Sequence, residues 1–416
     1  KERTMRRSII TIGIAALLAG SLAACSGTAP APSASGSAPA ETSLPADPVT
    51  LKVWESQLGP DEFIKQAGEK FKEQHPNVSV EFINVEFGDT SSQIALDGPA
   101  GTGPDVFAAP HDKLGELVSG GHILAVADPA AVEANVVEAA AKAATYDGTM
   151  YGYPVATETY ALYYNKKYVT DPPKTWDDVV TFSKDFNAKN KGKYGFVMDV
   201  GNGYYTILFT TSKDNRLFGP DGTDTSNTNI NSPASVEGMK QFVALRPGLD
   251  VPAADLATST VDALFSAGDA AMLISGPWNV KNFTDAGVDF GVATLPALAG
   301  NSEPAASFAG IRTMYVSAYT DHPEVSAAFA QFLTTPEMQQ LRVDITGALA
   351  ASSADITYEN PVVTGFADQM KYAFPMPSIP QMGKFWDAMN AASANIWNGA
   401  DIQKELDAAN STILAS

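Results

Sequence analysis

Three aromatic side chains far apart in the chain, Tyr204, Trp278 and Trp386, fall at predicted loop or helix starts, with Tyr205 beside the first and Tyr160 upstream. Side chains rich in hydrogen-bonding groups lie near predicted strand and helix ends: His111, Asp112 and Lys113 in a row, then Glu158, Asn202, Asp387 and Asn390, and the strand exit holding Ser56 and Gln57. The combination suits a carbohydrate. The C–H faces of a pyranose stack on aromatic rings, an interaction worth about 0.5–1.5 kcal/mol beyond area for ring pairs. Carboxylate, amide and ammonium groups meet the hydroxyls, each bond adding about 0.5–1.5 kcal/mol net. Several of both are needed to reach the roughly 8 kcal/mol of micromolar binding. Taken singly, each residue has a structural alternative: Asp112 is well placed to cap a helix beginning at Lys113, Glu158 to pair with Lys166 or Lys167, and a tryptophan at a strand exit to serve as packing.

Other chemistries fit less well. A secreted glycoside hydrolase also needs an acidic cleft with aromatics, and Asp112 and Glu158 are its candidate carboxylates, but no local apolar setting argues that either is a raised-pKa acid. The histidines, His75, His111, His122 and His322, show no metal-ligand spacing, and no CxxC, HExxH, Walker A or GxSxG pattern occurs. No cofactor is expected. A purely adhesive surface lipoprotein is a third possibility, and it predicts no affinity for a small ligand.

The elements that must position these groups are organised around Met150 to Val179. Two runs rich in Tyr and Val, Met150 to Val155 and Thr159 to Tyr164, read as strands flanking a polar step, Ala156-Thr157-Glu158. Pro172 and Pro173 stop the preceding segment, and Thr175 with Asp178 three residues on marks a helix start. Before it, Thr50 to Trp54, Val78 to Ile83 and Val106 to Ala109 are predicted strands alternating with helices at Glu62 to Gln74, Ser91 to Leu96 and Leu114 to Val118. This rhythm predicts a mainly parallel sheet with ligands outside the strands' carboxyl ends. Pro129 to Thr145 reads as one Ala-rich helix. The rhythm repeats afterwards, with helices at Trp176 to Asn187, Val261 to Ala267 and from Phe385 onward, and strands at Tyr194 to Met198, Ala271 to Ile274, Val288 to Ala293 and Ser307 to Ala318. A second crossing is expected near residues 300 to 307. Two or three crossings imply a hinge, since few backbone torsions need change for two lobes to close.

The ends and the charge place the protein outside the cytoplasm. A basic start (Lys1 to Arg7), an apolar run (Ile9 to Leu18) too short to span a bilayer, and the small-residue end Leu22-Ala23-Ala24-Cys25 describe a cleaved export signal over residues 1–24. Cys25 is the single cysteine, so no intrachain disulfide exists. Residues 25–48 are dominated by Ser, Ala, Pro, Gly and Thr and read as a flexible tether with a reach of roughly 25–30 Å. The formal charge of −20 becomes −23 once residues 1–24 leave, taking four basic side chains and one acidic with them. That field repels nucleic acid and polyphosphates and favours a neutral or cationic ligand.

Four ordered segments carry a family resemblance: GPDVFAAPHDKLG at 103–115, GYPVATETYALYYNK at 152–166 with PPKTW at 172–176, GDAAMLISGPW at 268–278, and MPSIPQMGKFW at 376–386. They resemble the maltose/maltodextrin-binding proteins of bacterial ABC importers, from about Leu51 to the C-terminus, and Leu-Ala-Ala-Cys resembles a lipobox, whose Cys25 becomes the lipidated mature N-terminus. The resemblance implies an α/β, two-lobed periplasmic-binding-protein-like fold of type II with a hinge of multiple crossovers. It sets lobe 1 at residues 49–157 and 308–359 and lobe 2 at 158–307 and 360–416. By position, Asp112 and Lys113, preceded by His111, match the family's sugar-bonding acid–basic pair, Glu158 the crossover carboxylate, and Tyr204, Trp278 and Trp386 the stacking aromatics. Asn202 stands where many relatives carry a carboxylate. Ala109 replaces an aromatic platform, and Leu58 and Gly59 replace an Asp-Lys pair, leaving Glu55, Ser56 and Gln57. Asp387 and Asn390 occupy family Tyr and Arg positions. The implied protein is a monomer, lipid-anchored to the outer face of the cell membrane, that delivers maltodextrin-type oligosaccharides, or another gluco- or galacto-oligosaccharide, to permease subunits.

Overall fold

The computed structural model describes residue 44, residues 47–212 and residues 214–415. The export signal, Cys25 and nearly all of the expected tether lie outside the described residues. The strands are β1 (Val49–Glu55), β2 (Val78–Asn84), β3 (Val106–Pro110), β4 (Thr145–Tyr146), β5 (Thr149–Met150), β6 (Gly152–Glu158), β7 (Ala161–Asn165), β8 (Met272–Ser275), β9 (Phe290–Ala293), β10 (Phe308–Val316) and β11 (Phe374–Pro375).

The first lobe is built on a six-stranded sheet, in which β2, β1 and β3 are parallel and β10 runs antiparallel to both β3 and β6. The strands alternate in sequence, and the two faces are buried in separate clusters: Leu51, Val53, Val106, Ala108, Met314 and Val316 on one, Trp54, Phe107, Ala109 and Tyr315 on the other. The second lobe has a three-stranded antiparallel sheet, β8-β7-β9, inside one large apolar cluster. The fold is thus the expected two-lobed α/β type, but less parallel than the βα rhythm suggests. β10 is the reason in the first lobe: it arrives from the other lobe and runs antiparallel between β3 and β6.

Several local expectations change. Ala156, Thr157 and Glu158 are not a polar step between strands but the end of β6, paired with Arg312, Ile311 and Gly310. Only Thr159 and Tyr160 separate β6 in one sheet from β7 in the other. The Ala-rich stretch forms two short helices, Pro129–Glu133 and Glu138–Ala143, because Val136 bridges to Ser352 and the Val137 N–H donates to the Ala351 carbonyl at 2.8 Å. Tertiary pairing of β-branched residues outweighs alanine's helix preference there. Tyr194 to Met198 makes isolated bridges to Ala270 and Leu273 rather than a strand.

The crossings are laced together. Thr159 Oγ1 donates to the Phe308 carbonyl at 2.8 Å and lies 2.7 Å from Ser307 Oγ, which takes a bond from Gln369 Nε2 at 3.0 Å. The Thr157 N–H donates to the Leu349 carbonyl at 2.8 Å, adding the chain that returns to the second lobe between helices Pro336–Thr346 and Pro361–Met370. Few torsions are free in such a hinge.

Candidate functional site

A cleft of about 710 Å³ lies between the two sheets. The wall beside the six-stranded sheet is made at strand ends: Ser56, Gln57 and Leu58 follow β1, Glu86 and Phe87 follow β2, Asp112 and Lys113 follow β3, Glu158 ends β6, and Gly310 to Arg312 lie near the start of β10. Parallel strands aim their carboxyl ends the same way, which is why groups distant in sequence meet at one edge. The opposite wall carries Tyr204, Thr258, Asp262, Trp278, Asn279, Trp386, Asp387 and Asn390.

The aromatics form one surface. The Tyr204 ring centroid lies 6.2 Å from that of Trp278 and 6.5 Å from that of Trp386. Tyr204 is held by its backing: Tyr160 packs edge-on at 5.0 Å, Phe308 stacks at 6.0 Å, and the short helix Gly203–Thr206 is capped by Asn202 Oδ1, which accepts from the Tyr204 N–H at 2.9 Å. Asn390 Oδ1 accepts from the Gly203 N–H at 2.7 Å. A Cβ on Gly203 would stand 2.8 Å from Met389 Cβ, so only glycine lets the helix Gln381–Trp397 approach this closely. The Trp278 ring lies over Gly276, where a Cβ would meet it at 2.0 Å.

The polar wall is partly prepaid by a buried ion network. Arg312, 3% exposed, donates from Nη1 to Glu55 Oε1 at 2.6 Å and from Nε to Glu158 Oε1 at 3.0 Å, with its guanidinium 3.7 Å from the Phe87 ring centroid. Arg342 reaches the other Glu55 oxygen at 3.4 Å. Burial opposes the charge on Arg312, but Glu158 and Glu55 outweigh it and raise its pKa. Burial lowers Arg342 to about 10 despite Glu55. The Lys166 pairing weighed for Glu158 is absent, since Lys166 meets Asp289 at 3.1 Å. Arg312, Glu86, Phe87, Thr258 and Asp262 had no motif to announce them; the alternation that makes β10 a strand could have singled out Arg312 as a charge inside it.

Asp112 lines the cleft, 7% exposed, and its Oδ1 has no hydrogen-bond partner. It does not cap the turn that follows. Burial raises its pKa, opposed by His111, Lys113 and a hydrogen bond from the Trp386 side chain. Lys113, also on the wall, pairs with Glu116 at 3.3 Å. His111 stands behind the wall: its Nε2–H donates to the Met376 carbonyl and its Nδ1 accepts from the Ile311 N–H, both at 3.1 Å. Burial lowers its pKa, so it is a neutral brace between β10 and the segment leading to Trp386. Asn202 likewise supports Tyr204 from outside the lining. Ser56, Gln57, Glu158, Asp387 and Asn390 all reach the cleft. Among the described residues, no group of three or more His, Cys, Asp or Glu is arranged to hold a metal ion.

Two α/β lobes joined by several crossings, with an aromatic wall facing buried carboxylates, fit a solute-binding architecture. Residues 55–340 match the model of the bacterial extracellular solute-binding proteins, and the chain belongs to that family. It is 29% identical over 375 residues to the galactooligosaccharide-binding protein of Bacillus subtilis (strain 168), covering 87% of this chain and 88% of that one. It is 30% identical over 359 residues to a maltooligosaccharide ABC transporter solute-binding lipoprotein of Streptococcus pneumoniae (strain ATCC BAA-255 / R6), covering 82% and 84%. Among solved structures, a cyclo/maltodextrin-binding protein complexed with maltotetraose superimposes with a TM-score of 0.73 at 34% identity, over 89% of this chain and 97% of that one. The family is one of binding proteins, and the glycosidase alternative falls with that assignment.

Proposed function

We propose that the protein captures a maltodextrin-type oligosaccharide between its lobes and delivers it to the permease of an ABC importer. The observation that carries the reading is the joined surface of Tyr204, Trp278 and Trp386 facing Asp112 and Glu158 across a cleft of about 710 Å³, within the range of small-ligand sites, about 300–1,000 Å³. Asp112, Lys113, Glu158, Ser56, Gln57 and Asp387 meet sugar hydroxyls, while His111, Asn202 and Asn390 position them or the aromatics. Lobe 1 comprises residues 49–157 and 308–359, lobe 2 residues 158–307 and 360–416. A ligand that touches both lobes favours the closed arrangement by its differential contacts. The protein acts as a monomer on the outer face of the membrane, held by a lipid on Cys25; the word lipoprotein in the pneumococcal relative's name supports the anchor.

A galacto-oligosaccharide is the second reading, favoured by the Bacillus relative's name. Intrinsic-fluorescence titration against maltotriose, maltotetraose and a galacto-oligosaccharide decides between them. Saturable quenching by the maltodextrins is expected. Preference for the galactoside selects the second reading, and hydrolysis of any sugar overturns both.

A further inference from the structure

Asp262 is a carboxylate on the cleft wall that none of the sequence motifs includes. It lies on helix Thr258–Ser266, one turn after Thr258, so the two side chains share a face. The helix start is pinned: the Thr258 N–H and Oγ1 both donate to Asp199 Oδ2, at 2.9 and 2.7 Å. Thr258 is therefore engaged, whereas Asp262 Oδ1 is shut off from solvent and has no hydrogen-bond partner. The Asn279 side chain bonds the Asp262 carboxylate, its Nδ2 also donating to Ser275 Oγ at 2.8 Å and its Oδ1 accepting from Asn282 at 3.2 Å, which leaves Oδ1 as the oxygen of Asp262 without a partner. Asn279 directly follows Trp278, so Asp262 belongs to the Trp278 side of the aromatic surface.

A desolvated carboxylate oxygen without a donor is costly to keep in an empty protein, and a donor arriving with the ligand removes that cost. Building on the oligosaccharide reading, we infer that Asp262 is a ligand-contacting residue, its carboxylate turning toward the cleft to accept a hydrogen bond from a hydroxyl of the sugar unit stacked on Trp278. The companion feature is Asp112, the other cleft carboxylate whose Oδ1 lacks a partner. Asp112 serves the lobe-1 wall and Asp262 the lobe-2 wall, so one ligand discharges an unmet acceptor in each lobe.

Two readouts of opposite sign test this on the full mature chain. Asp262→Ala removes an unpartnered buried acceptor, so the sugar-free protein should melt at a higher temperature at pH 7, while its affinity for the best-binding maltodextrin falls at least fivefold in calorimetry. Asp262→Asn, which keeps the shape and a weaker acceptor, should lie between. If both variants bind within twofold of wild type, or if affinity and melting temperature fall together, the inference is overturned, the second result making Asp262 a structural residue. Failure of the wild type to bind any oligosaccharide overturns the functional reading and this inference with it, and so is distinct from a wild type that binds and variants that bind equally.

Discussion

Removal of the Trp278 ring tests stacking directly, because the ring lies over Gly276, which has no side chain to replace it. Trp278→Ala should weaken maltotriose binding more than tenfold, at least about 1.4 kcal/mol, measured by calorimetry; unchanged affinity would move the platform elsewhere. Asp262 carries a pH signature of its own. Burial raises its pKa from 3.8 to about 6, with the hydrogen bond from Asn279 opposing and the Asp199 charge adding to the rise, and its own charge acts on the phenols of Tyr163 and Tyr205. A carboxyl whose folded pKa exceeds its unfolded value binds its proton more tightly when folded. Its stabilising contribution is therefore full below about pH 4 and lost as pH rises through about 6. In urea melts, Asp262→Asn should gain on wild type across that window by about 1–3 kcal/mol and hold a constant lead above it. A lead that does not vary with pH would contradict the burial argument.

β10 is the element on which the site depends most. It completes the first sheet, begins in the hinge and inserts Arg312 between Glu55 at the end of β1 and Glu158 at the end of β6. A buried ion pair adds little net stability over an apolar substitute, but deletion of one partner leaves the others uncompensated. Arg312→Met should cost about 3–5 kcal/mol in chemical denaturation at pH 7, and adding Glu55→Gln to it should recover part of that loss, since it removes a carboxylate left unpaired. A double variant no more stable than Arg312→Met would show that packing against Phe87, not charge, is what Arg312 supplies. The same strand explains a gap in the sequence reading: a lone arginine in an apolar run has no motif, and its partners lie 257 and 154 residues away.

For the whole molecule, ligand binding and stability are linked, since a sugar that engages only the folded, two-lobed form stabilises it by mass action. At a free concentration 100 times Kd, maltotriose should add about 2.7 kcal/mol, read as a rise in melting temperature, and an unrelated disaccharide that does not bind should add nothing. A shift that does not grow with sugar concentration would argue against a site in the cleft. The hydrophobic period, the turn chemistry and the chain length were enough to predict two α/β lobes and a crossover around Glu158, while the family resemblance singled out Tyr204, Trp278 and Trp386, which the fold brings to one cleft, because these features depend on neighbours within a few residues or on segments that keep their order. Tertiary structure alone decided that β6 runs unbroken to Glu158, that His111 and Asn202 stand behind the wall, and that Arg312 and Asp262 belong to it. The reason is physical: strand pairing across the hinge, and the fate of each buried hydrogen-bonding group, are settled by partners hundreds of residues away that no local pattern announces.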